Sequence, residues 1–261
     1  MSTYEFSSVE RDGKLTIVTI NRPEVMNSLH PPANFELAKI FDEFARDSDQ
    51  WVAIITGAGD KAFSAGNDLK YQAAGNPITV PPTGFAGLTS RFDLNKPVIA
   101  AVNGLAMGGG FEIALACDLI VAAETALFAL PEPRVGLAAL AGGLHRLPRE
   151  IGTKRALGMI LTGRRVPANE GLALGFVNEV CKAGESVNAA KKIAHQILEC
   201  SPMSVRASKD AVYRGLMEPH LKAALEGQRT YEAIRAMFTS EDLIEGPMAF
   251  AQKRPPQWKG K

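Results

Sequence analysis

Two glutamates stand in stretches that offer them few polar neighbours: Glu112 in MGGGFEIALACDLIVAA and Glu132 in LFALPEPRVG. An ionised carboxylate is costly to bury, and a site that buries one commonly puts its shifted acidity to use. Apolar surroundings raise carboxyl pKa values into the range for proton transfer near neutrality, so the two together form a candidate pair for general acid and base work. Each also has an ordinary use. Glu112 falls in a first helical turn, where the helix dipole favours a negative charge, and Glu132 lies in a proline-bracketed turn that would suit a solvated carboxylate.

Glu112 follows three glycines, Gly108 to Gly110, that come after the strand-like PVIAAVNG and open a helix running from Gly109 or Gly110 to Ala116. Unpaired backbone N–H groups and the dipole at such a start favour an anion or a developing oxyanion, and glycines let a ligand reach the backbone. The run fits neither GxGxxG nor a P-loop, so neither a dinucleotide nor a nucleoside triphosphate is implied. A second glycine turn, GAGDKAFSAGNDLK at 57–70, also follows a strand and offers another backbone donor near Asn67. Its AFSAG resembles the GxSxG elbow of serine hydrolases, but Ala62 replaces the first glycine and His30, His145, His195 and His220 sit in no triad signature.

The elements that must carry these residues read as α/β. Apolar runs at 14–20, 51–56, 97–102, 118–123 and 175–180 predict strands, mostly covered on both faces. Between them Leu37, Ile40, Phe41 and Phe44, and later Val187, Ala190, Ala194 and Ile197, recur at helical spacing. From about residue 200 the strand signal stops and three helical segments follow, with starts at Ser201 and Ser240. This divides the chain into a core over 1–199 and a helical region over 200–261. The Pro- and Gly-rich 75–87 reads as a loop where a lid or pocket wall could lie.

The 261 residues suffice for a sizeable core, and 29 Lys and Arg against 28 Asp and Glu give no case for a nucleic-acid surface. Cys117, Cys181 and Cys200 are scattered, with no metal or disulfide pattern. The polar start and the lack of an apolar run of about 18 residues predict a soluble protein of the reducing cytoplasm, with no membrane partner.

Taken in order, NRPEVMNSL, AFSAGNDLK, KPVIAAVNGLAMGGGFEIALACDLIVAA, FALPEPRVGL, AGGLHRLPREIG, LTGRRVPANEGLALGFVNEV and the tail FAQKR resemble the enoyl-CoA hydratase/isomerase, or crotonase, superfamily over nearly the whole chain. Within it, TGFAGLTSRFDLNKPVIAAVNG, LTGRR and the ending SEDLIEGPMAFAQKRPPQWKGK look most like the carnitinyl-CoA dehydratases. The resemblance implies a spiral of ββα turns with a helical C-terminal region that builds trimers, commonly paired into hexamers.

It further implies an acyl-CoA substrate whose thioester oxygen is held by the N–H groups of Asn67 and Gly109. Glu112 and Glu132 then become the catalytic pair of a hydratase, whereas family isomerases often keep only the second carboxylate. Coenzyme A is part of the substrate, and no separate cofactor or metal is required. Val25, Ala65, Asp68 and Leu69 are implied around the adenine and pantetheine, with Phe250 and Lys253 contributed by a neighbouring subunit. Where common hydratases carry a PGAGG-like loop this chain has AALAGG, which sets Leu140 in place of a small residue and suggests a narrowed acyl pocket. An isomerase and a non-catalytic binding protein of the same fold are the rival readings.

Overall fold

A computed structural model describes residues 4–261. Ten strands among these residues form two sheets: β1 (Ser7–Asp12), β2 (Leu15–Ile20), β3 (Val52–Gly57), β4 (Ala62–Ser64), β5 (Val98–Val102), β6 (Leu105–Met107), β7 (Leu119–Ala123), β8 (Leu127–Ala129), β9 (Val166–Pro167) and β10 (Glu179–Cys181). The larger sheet has the order β1-β2-β3-β5-β7-β10 and is parallel beyond the β1–β2 hairpin. The smaller has the order β4-β6-β8-β9, parallel from β4 to β8. From β3 to β8 each pass lays one strand in the large sheet and the next in the small one, and helices such as Leu69–Ala73 and Gly109–Ala116 complete the turns of the spiral.

The near-continuous apolar character of β3, β5 and β7 has a direct cause. Side chains alternate across a strand, and both faces of the large sheet are covered. Ala53, Ile55, Ala100, Val102 and Ala122 enter the main core with Phe111 and Phe128, while Val52, Ile54, Ile99, Ala101 and Val121 pack on the opposite face. That second face is closed by Ala189, Ala190 and Ala194 of the Ser186–Leu198 helix, whose small residues permit a close approach.

Beyond residue 200 the chain is helical, with Pro202–Gly215, Leu221–Gly227, Glu232–Phe238 and Asp242–Ala251. Ser201 caps the first by accepting the Ser204 N–H, and Ser240 accepts the Leu243 N–H at the last. One expected strand is displaced. Of the run at 175–180 only the end pairs, because Gly175 ends the Ala168–Leu174 helix in the left-handed region, Phe176 and Val177 turn into the core, and pairing begins at Glu179. Within 75–87 only the short turn Phe85–Gly87 is regular.

Phe111, at the start of the helix that carries Glu112, is fully buried against Phe128 and Phe176, with centroids 5.1 Å away in both pairs. Replacing a buried Phe by Ala removes its transfer energy and leaves a cavity. Phe111→Ala should therefore cost about 3–5 kcal/mol, read as a lowered urea midpoint.

Candidate active site

The adjacent strand ends of the small sheet assemble the site. Ser64 pairs with Ala106 and Ala106 with Phe128, while Met107 pairs with Ala129, so β4, β6 and β8 end side by side. The chain after β4 carries Asn67, the chain after β6 carries Gly109 and Glu112, and the chain after β8 carries Glu132. Segments far apart in sequence are brought to one place because their strands are neighbours.

Two glycines let these exits close up. A Cβ on Gly66 would fall 2.6 Å from the Met107 carbonyl oxygen and 2.7 Å from the Gly109 nitrogen, and one on Gly110 would strike the Ser64 carbonyl. Only a residue without a side chain allows backbone to pass that near. Around Asn67 the chain is clamped by Leu29, whose N–H bonds the Gly66 carbonyl at 2.7 Å and whose own carbonyl accepts the Asp68 N–H at 3.0 Å. The Asn67 N–H between them has no hydrogen-bond partner among the described residues, nor has that of Gly109, the first residue of its helix. Two adjacent unsatisfied donors, one backed by a helix dipole, have the chemistry to hold a carbonyl oxygen that gains negative charge. The Phe85 ring lies against Gly109: a Cβ there would meet its Cε1 at 2.7 Å.

Glu112 is 3% exposed. Its Oε1 accepts the Gly143 N–H at 2.8 Å, and the Ala141 N–H also faces it. Burial outweighs these donors and raises its pKa to about 7, with the neighbouring Glu132 adding to the rise. Glu132 opens the short turn Glu132–Val135, its Oε1 2.8 Å from the point where a Gly108 Cβ would sit. Burial raises its pKa too, and Oε2 is buried with no hydrogen-bond partner among the described residues. A buried carboxyl oxygen lacking a partner is expensive unless a ligand completes it.

The remaining expected contacts divide. Val25 ends the turn Pro23–Val25, and Ala65 donates its N–H to Met26, which joins those two regions. Asp68 is buried, bonds Arg22 at 3.1 Å and caps the Leu69–Ala73 helix through the Tyr71 N–H, which gives it a structural use, while Leu69 is exposed. Leu140 is 82% exposed on the segment before the Gly143–Ile151 helix. Phe250, 88% exposed, and Lys253, in a left-handed turn, lie at the end of the Asp242–Ala251 helix. Phe85, Gly143 and Arg146 border the site and were not singled out from sequence; no short motif marks a side chain that acts through packing or a turn amide.

The family profile described as enoyl-CoA hydratase/isomerase matches residues 10–261. The chain belongs to that family. It is 44% identical over 255 residues to a carnitinyl-CoA dehydratase of Escherichia coli, an alignment covering 96% of this chain and 97% of the relative. An enoyl-CoA hydratase of Mycobacterium tuberculosis superposes with a TM-score of 0.92 at 38% identity, covering 98% of this chain and 99% of that one. A carnitinyl-CoA hydratase of Mycobacterium avium does so with a TM-score of 0.79 at 40% identity, covering 99% and 100%.

The burial of Glu112 has a thermodynamic sign. Its folded pKa of about 7 exceeds the ordinary 4.5, so the folded state binds the proton more tightly than the unfolded one. That stabilisation is complete below pH 4.5 and disappears as the pH rises through 7. Glu112→Gln, which keeps the Gly143 hydrogen bond without a charge, should therefore stabilise the protein at pH 8 by on the order of 1–3 kcal/mol. The gain should vanish by about pH 4 in paired urea melts.

Proposed function

We propose that this protein is a hydro-lyase that adds or removes water across the α,β bond of an acyl-CoA thioester. The observation that carries the reading is the meeting of two unpaired backbone donors with the buried Glu112 and the half-buried Glu132 at the ends of β4, β6 and β8. The thioester oxygen takes the N–H groups of Asn67 and Gly109. In hydration Glu112 removes a proton from water as its oxygen bonds to Cβ, the electrons of the double bond pass to the thioester oxygen, and the enolate collapses as Glu132 gives a proton to Cα. Elimination runs the same steps backwards: Glu132 takes the Cα proton and Glu112 protonates the departing hydroxyl. An isomerase needs one carboxylate to move a proton along the acyl chain; the presence of Glu112 as well, buried and held by the Gly143 N–H, favours the water reaction.

A 3-hydroxyacyl-CoA of the carnitinyl type is the first candidate substrate, supported by relatives of that name aligned over nearly the full chain. Val25, Ala65, Asp68 and Leu69 flank the thioester's CoA portion, and Leu140 meets the acyl end. Coenzyme A arrives with the substrate, and no further cofactor takes part. The helical C-terminal region forms a trimer or a pair of trimers, supported by the exposure of Leu216, Met217, Leu221, Leu225, Ile244 and Phe250. Through that assembly Phe250 and Lys253 reach a neighbour's CoA. No described helix is long and apolar enough to cross a membrane. The free Cys117, Cys181 and Cys200 favour the reducing cytoplasm.

Loss of enoyl-thioester absorbance, followed on crotonyl-CoA, crotonobetainyl-CoA and longer or aryl enoyl-CoAs, identifies the acyl group. On the best of these, Glu112→Gln and Glu132→Gln should each lower hydration by at least about 10²-fold with little change in CoA affinity. Exchange of the Cα proton should survive in Glu112→Gln and be lost in Glu132→Gln; full activity in either variant would return that glutamate to a structural role. Light scattering should give a trimer or hexamer at micromolar concentration, and truncation from Ser240 should weaken CoA binding. An active monomer, or unchanged affinity after truncation, would remove Phe250 and Lys253 from the site.

A further inference from the structure

Arg146, on the Gly143–Ile151 helix, is a half-buried guanidinium that forms no ion pair at contact distance among the described residues. Its Nη2 donates to the Thr89 carbonyl at 2.9 Å, and its Nη1 lies over Gly142, where any Cβ would strike it. Those two contacts join separate parts of the site. Thr89 closes the loop that backs the oxyanion donors: its Oγ1 accepts the Phe85 N–H at 2.8 Å, and the Phe85 ring packs on Gly109. That loop is anchored from behind by Asn34, 2% exposed, whose Oδ1 accepts the Ala86 N–H at 2.7 Å and so holds Ala86 at a φ of 54°. On the other side, Gly142 precedes Gly143, whose N–H holds Glu112.

We infer that Arg146 is a positioning residue for the water reaction, tying the loop that backs Gly109 to the turn that holds Glu112, so that oxyanion donor and water-handling carboxylate keep a fixed separation. This rests on the reading of Glu112 as the group that handles water. A planar guanidinium suits the role because its fixed fork lets Nη2 bond the Thr89 carbonyl while Nη1 packs over Gly142, whereas an ammonium is a point charge on a flexible stem. The charge has a second effect. Around Arg146 stand Glu112 and Cys117 from the Gly109–Cys117 segment, Tyr213 from the Pro202–Gly215 helix and Arg149 from its own helix. Of these Glu112 is the carboxylate, so the cation favours its ionised, base-competent form against the effect of burial, while Glu132 opposes it.

Arg146→Met and Arg146→Lys test this. In the methionine variant kcat should fall about 10- to 100-fold with KM within about threefold of wild type, because CoA contacts are elsewhere. The acidic limb of its kcat/KM profile should move to higher pH, since loss of the cation makes Glu112 harder to ionise. The lysine variant should return that limb to its wild-type position while recovering kcat only in part. Amide hydrogen exchange, which needs no substrate, should quicken in both 84–91 and 139–146 for the methionine variant. Exchange therefore tests the tie even if the acyl-CoA reading fails. A folded methionine variant with wild-type exchange in the two segments, or with kcat lowered but the pH limb unmoved, would overturn the inference. If that variant does not fold, the lysine variant decides: unchanged kcat and unchanged exchange would overturn it.

Discussion

The parallel ladder of β4, β6 and β8 is the constraint on which the rest of the site depends. Strand pairing is a register-specific interaction: slipping one strand by a residue would carry its side chains to the opposite face and shift the chain leaving it by more than 3 Å. With Ala106 against Ser64 and Phe128, the three exits lie side by side, β4 leading to Asn67, β6 to Gly109 and Glu112, and β8 to Glu132, each within a few residues of its strand end. Long-range precision in the site is thus inherited from hydrogen bonds that have no chemical role. The pattern also explains why the groups come from backbone turns and from the first turn of a helix, since those are the parts that follow a strand end at once.

A site built this way is unstable in isolation. Asn67 and Gly109 leave donors unpaired, Glu132 leaves a buried oxygen unpaired, and Glu112 is buried with one short hydrogen bond and a raised pKa. Each is a cost to folding that a ligand oxygen or water would offset. The aromatic cluster of Phe111, Phe128 and Phe176 lies directly beneath, and it supplies the packing that holds the Gly109–Ala116 helix despite these deficits. Stability is concentrated under the site so that the site itself can remain incomplete.

The large sheet and the long helices were legible in the sequence because they are governed by pattern: β3, β5 and β7 are buried on both faces and read as unbroken apolar runs, and Leu37, Ile40, Phe41 and Phe44 mark one helix face. The small sheet was not. Its strands have two or three residues each, too few for any period, and they form only because β4, β6 and β8 are aligned by neighbours. β1 escaped for the opposite reason: it is a polar edge strand whose alternation is weak, held by its hairpin to β2. In the site, glycine spacing and misplaced carboxylates were visible as chemistry at Gly109, Glu112 and Glu132, whereas Gly143 contributes a backbone amide and Phe85 a ring face, neither of which leaves a mark on a single sequence.

Chemistry and specificity therefore occupy different material. The donors are main-chain N–H groups, which substitution of their own side chains cannot remove, and Gly66 and Gly110 cannot accept a Cβ without colliding with backbone. The positions of these donors are fixed by the fold. Segments outside the ladder expose Ile78, Val80, Leu137 and Leu140. Those side chains can change without disturbing strand register or the glutamates. One frame can then serve different acyl groups while the path of the water and of the two protons stays the same, and relatives that share the frame can carry the names of different substrates.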